Sequence, residues 1–136
     1  MSAAQYAASL ALLALALATT GCGTADRERD AAAVAERFHA ALESEDGRAA
    51  CEELSEETAS KLEQQEKKPC EEAILELELP KGARVTDTNV DITNAVATLA
   101  EGGAGFFDEG PDGWKVSEAG CEPTLPDQPY DCVLEG

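Results

Sequence analysis

The chain has 136 residues, enough for one domain with a modest core, and its 28 Asp and Glu against 10 Lys and Arg give a net charge of −18. A surface of that sign repels nucleic acid and anionic lipid headgroups, so neither is an expected partner; it reads as a solvated acidic face open to cations or basic partners. Every charged residue lies beyond Gly23.

In chain order, the run from Ala7 to Ala18 is Ala and Leu with one Ser. It is short for a spanning helix, which needs about 20 apolar residues, and suits the core of a secretory signal. It closes in Leu17-Ala18-Thr19-Thr20-Gly21-Cys22, which resembles the lipobox of a bacterial lipoprotein. Thr19 stands where that motif usually has Leu or Val, and no Lys or Arg precedes Arg27. The resemblance implies cleavage before Cys22, a diacylglycerol on its thiol, and anchoring on the extracytoplasmic face of the cell membrane. Two acyl chains hold stably where one is marginal. An ordinary cleaved signal and a retained membrane helix are the other two readings. The expected organisation is a signal peptide over 1–21, a polar tether over 22–30, and a single domain over 31–136.

From Ala31 the pattern is helical. Ala31, Val34, Phe38, Ala41 and Leu42 form one apolar stripe, with Glu36, Arg37 and Glu43 off it. Asp46-Gly47 breaks this helix and starts a second, with Ala50, Cys51 and Leu54 inward. Ser55 is a good N-cap for a third helix, and Glu56 and Glu57 suit its first turn. That helix carries Ala59 and Leu62 and ends at Lys67-Lys68. Pro69 suits the start of a fourth short helix bearing Cys70, Ile74 and Leu77. The alternation Ala73, Leu75, Leu77, Leu79 fits a strand as well.

After Pro80 and Gly82 the period becomes two. Thr86, Thr88, Val90 and Ile92 share one face, and Asp87, Asn89 and Asp91 the other. Thr93-Asn94 is a plausible turn. A strand over Val96 to Glu101, a turn at Gly102-Gly103, a strand with Phe106 and Phe107, a turn at Gly110-Pro111-Asp112-Gly113 and a strand from Trp114 towards Cys121 follow. The tail, with Pro123, Pro126 and Pro129, reads as irregular. Helices followed by an antiparallel meander make an α+β domain, with the first helix lying across a curved sheet. Trp114 is expected to pack near Phe38, with Phe106 or Phe107 completing the cluster.

Cys51, Cys70, Cys121 and Cys132 are an even set in an exported domain and read as two disulfides. Of three connectivities, Cys51–Cys70 with Cys121–Cys132 closes the shortest loops. Each bond stabilises by roughly 3 kcal/mol in the chain-entropy model. With no C-x-x-C and His39 the sole histidine, a zinc site is not expected.

The set Phe38-His39-Ala40-Ala41-Leu42, Cys51, Pro69-Cys70, Asp112-Gly113-Trp114-Lys115-Val116, Ala119-Gly120-Cys121, Pro129-Tyr130-Asp131-Cys132 and Glu135-Gly136 resembles small uncharacterised lipoproteins of high-GC Gram-positive bacteria. The resemblance covers nearly all of the chain after Cys22. It implies a cone similar to the NTF2-like superfamily and implies no activity or cofactor. NTF2-like folds often hold a pocket between helix and sheet, so His39, Phe38, Phe106, Phe107 and Trp114 are the candidate pocket residues. His39 is the only imidazole available as a base, and the bland alternative is a histidine packed at the helix edge. Asp108 and Glu109 lead into a turn and read as solvated. Asp87 to Asp91 opens like a calcium loop, but Ile92 and Thr98 stand where Gly and Glu are required. Gly102 to Gly105 lacks the Lys-Ser/Thr and helix of a phosphate loop. No G-x-S-x-G elbow is present. The expectation is a non-catalytic, membrane-anchored binding domain whose protein or small-molecule ligand is not identified. The alternative is a small isomerase or dehydratase of NTF2-like type.

Overall fold

The computed structural model describes residues 22–136. The expected signal peptide and the side chain of Cys22, the expected lipid carrier, lie outside the described residues. Among the described residues four helices precede five strands: α1 (Cys22–Glu43), α2 (Gly47–Glu52), α3 (Glu56–Glu66), α4 (Cys70–Glu76), then β1 (Val85–Asp91), β2 (Asn94–Leu99), β3 (Ala104–Gly110), β4 (Gly113–Glu122) and β5 (Asp131–Glu135). The strands form one antiparallel sheet in sequence order. The α+β class expected from the sequence is the observed one. Among the described residues no helix is long and apolar enough to cross a membrane.

Helix α1 buries the expected stripe, Ala31, Val34, Phe38, Ala41 and Leu42, together with Ala35. It lies across the sheet, touching β1, β2 and β4. Phe107, Val116 and Trp114 meet it from the sheet side in one continuous core. The helix differs from expectation in its start. Residues 23–30, read as a tether, are already helical. Ala, Arg and Glu are good helix formers there, Arg29 pairs with Asp26 one turn away, and Arg27 docks on the sheet.

Asp46 caps α2 by accepting from the N–H of Ala49, and Ser55 caps α3 by accepting from Thr58. Segment 70–76 is helical, which resolves the ambiguity left by its alternation. Helices α2 and α4 approach backbone to backbone at Gly47, where a Cβ would fall 1.9 Å from the carbonyl oxygen of Glu71. The Cys51–Cys70 disulfide ties the same pair of helices, and Cys121–Cys132 ties β4 to β5.

Two expectations on the sheet side are corrected. Ile92 is not on the inner face of β1: it is 79% exposed in a two-residue turn with Thr93. Asn94 pairs with both Asp91 and Asp108, so it belongs to the ladder and the turn falls one residue earlier. The tail is not wholly irregular, because Asp131–Glu135 adds a fifth strand. Short, charged and preceded by prolines, it carries little strand signal.

Beyond the reach of β5, the edge of β4 is completed from the helical layer. The N–H of Val116 donates to Glu53 at 2.8 Å, and its carbonyl accepts from Ser55 at 3.0 Å, so Leu54 forms a bridge with Val116. The α2–α3 corner is thereby pinned beside the β3–β4 hairpin.

Candidate functional site

The β3–β4 hairpin turns at Pro111-Asp112, with Gly110 paired to Gly113. Gly113 takes φ +92°, a region open to glycine and costly for other residues. Trp114 follows directly and is only 5% exposed. The Arg27 guanidinium lies over its ring, 5.3 Å from the centroid. The same guanidinium donates to the Glu109 carboxylate and the Ile92 carbonyl.

Between this hairpin and the pinned α2–α3 corner lies a cleft of about 470 Å³. Its walls include Asp30, Val34, Arg37, Glu52, Glu53, Glu109, Asp112 and Trp114. It neighbours a recess of about 520 Å³ beside Leu54, Glu56, Asp108 and Pro111, with which it shares Glu52, Glu109, Asp112 and Lys115. The cations at this site are already engaged. Arg37 donates to Glu53 at 2.8 and 3.2 Å, and that bond holds its guanidinium above the ordinary pKa. Lys115 Nζ donates to the Glu52 carbonyl at 2.7 Å, and Arg27 is bound to Glu109. Among the described residues Asp30, Glu56, Asp108 and Asp112 form no salt bridge. The site therefore offers carboxylates around an aromatic wall, an arrangement that attracts cations and gives an anion no cationic group that is not already engaged.

The residues expected to share a pocket are not brought together by these clefts. Phe106 and Phe107 line a separate cleft of about 280 Å³ with Ser55, Thr58, Ser117 and Glu118. Trp114 lines the acidic cleft. Phe38 and His39 line none of these three clefts and are buried, at 1% and 2% exposure. Trp114, Phe38 and Phe107 do belong to one core, while Phe106 stacks edge-on with Tyr130 at 5.2 Å. His39 works as a clamp. Its Nδ1 is 2.6 Å from the Pro80 carbonyl, and its own carbonyl accepts from the N–H of Gly82 at 2.9 Å. Burial lowers its pKa, against the opposing pull of the Pro80 hydrogen bond and of Glu101. Glu118, Cys121 and Cys132 are grouped like metal ligands, but both sulfurs are in the disulfide and offer no thiolate.

No protein-family model, curated protein or solved structure matches this chain. The cleft's acids come from α1, α2, α3, β3 and the hairpin turn, so no local spacing in the sequence marks them as a set. Asp108 and Glu109 are exposed beside the hairpin turn, as expected; Glu109 borders both the cleft and the recess, and Asp108 the recess.

Proposed function

We propose that the chain is a non-catalytic binding domain that takes a cationic ligand in the cleft beside Trp114, and that lipid on Cys22 holds it on the extracytoplasmic face of the membrane. The observation that carries the binding reading is the charge balance of the cleft. Arg27, Arg37 and Lys115 each have a local acceptor, while Asp30 and Asp112 in the cleft, and Glu56 and Asp108 in the recess beside it, form no salt bridge among the described residues. An ammonium or guanidinium group would pair with Asp30 and Asp112 beside Trp114. We read the laying of α1 across the meander as NTF2-like, in keeping with the lipoprotein resemblance.

The packing favours binding over the isomerase or dehydratase alternative. Phe38, Leu42, Phe107 and Val116 fill the layer between α1 and the sheet, where such enzymes keep their cavity. Nδ1 of the only imidazole is committed to Pro80.

Trp114 is the only Trp, so intrinsic emission reports on the cleft. Titration with spermidine at low ionic strength should give a saturable emission change. Added salt should weaken it, as should Asp30→Asn combined with Asp112→Asn. An absent response, or one equal in the double variant, would overturn the cleft assignment.

A further inference from the structure

A second surface lies away from this cleft. Strand β5 pairs with β4 on one side only, and among the described residues no other backbone hydrogen bond reaches Asp131–Glu135. Its outer edge therefore presents unpaired N–H and C=O groups, the template that an added strand requires. Val133, at its centre, is 48% exposed and shares a face with Asp131 and Glu135. Tyr130, 43% exposed, turns across the sheet to meet Phe106 of β3 edge-on.

The charge around this edge selects the occupant. No Lys or Arg follows Lys115, whereas Glu118, Glu122, Asp127, Asp131 and Glu135 all fall in that stretch, and Lys61 of α3, which reaches the end of β5, is engaged by the Gly136 carbonyl at 3.0 Å. A second copy is a poor fit. Antiparallel pairing of two β5 strands about Val133 would set Asp131 of one opposite Glu135 of the other, and like charges directly opposite are destabilising. We propose that β5 is an acceptor edge for an extended basic segment of another protein, in which Lys or Arg alternates with apolar residues. Main-chain bonds to β5 supply the pairing. The period of two sets every second side chain on the face of Asp131, Val133 and Glu135, where Lys or Arg meets the carboxylates, and the apolar ones on the face of Cys132 and Leu134.

The test uses isotopically labelled protein and a short synthetic peptide of alternating Lys and Val. Amide resonances of Asp131–Glu135 should shift, and their hydrogen exchange should slow. Asp131→Lys with Glu135→Lys, both at exposed positions, should weaken binding about tenfold with the fold retained. A helix-forming Lys/Ala peptide of equal charge should bind far less. The proposal is overturned if the shifts confine themselves to the Trp114 cleft, if the Lys/Ala peptide binds equally, if the double variant keeps its affinity, or if β5 amides are protected by self-association without peptide. A cleft that answers to spermidine beside a β5 that ignores the peptide sinks this inference and leaves the cleft reading standing.

Discussion

Trp114→Ala is the sharpest probe of how the hairpin is held. A buried Trp removes about 200 Å² from water, worth about 5 kcal/mol at about 25 cal/mol per Å². That is an upper figure, because denatured chains already bury part of their apolar surface. Trp114 is 5% exposed, so nearly all of the area counts. The ring also carries the Arg27 guanidinium, a contact worth about 0.5–1 kcal/mol at a partly exposed site. Since the ring borders an open cleft, water can enter the space it leaves, and the cavity cost is lower than in a sealed core. The expected loss is about 3–4 kcal/mol. Denaturant unfolding followed by far-ultraviolet circular dichroism measures it, as fluorescence vanishes with the only Trp. Arg27→Gln in both backgrounds isolates the stacking energy, which should disappear once the indole is gone. A loss under about 1 kcal/mol for Trp114→Ala would refute the core assignment and return Trp114 to a surface role.

Metabolic labelling with a lipid precursor should mark the wild-type chain and leave Cys22→Ser unmarked; equal labelling of both would dismiss the anchor. His39 gives a signed pH effect. Its folded pKa lies below the ordinary 6.5, so the unfolded chain takes up the proton first on acidification. The stability linked to this group is complete above that value and declines as pH falls beneath it, until the folded ring protonates. Thermal melts between about pH 7 and pH 5 should therefore slope more steeply for wild type than for His39→Gln, and equal slopes would rule the linkage out.

The helical half was legible wherever one physical signal acted alone. The stripe of α1, the Asp46 and Ser55 caps and the short loops between cysteines each depend on near neighbours, and each predicts what is found. The misses arise where a residue answers to partners distant in sequence. The polarity of 23–30 reads as a tether, although Arg27 docks on Trp114 and Glu109 far along the chain. Ile92 continues the alternation of β1, but pairing of Asn94 with two strands places it in the turn. Strand β5 owes its place to Leu134 against Ala119 and to the disulfide, not to its own composition. The same limit hid the cleft, whose carboxylates meet only after α1, α2, α3 and the hairpin converge.

The unbroken strand order β1 to β5 bears on how the chain can close. Each strand finds its partner immediately before or after it, so every ladder costs only the entropy of a short loop. The sheet can grow hairpin by hairpin from either end. The helical layer is less free: α1 can rest on β1 and β2, but the Glu53–Ser55 corner has no partner until Val116 of β4 is in place. That corner is thus made well before the strand to which it is pinned.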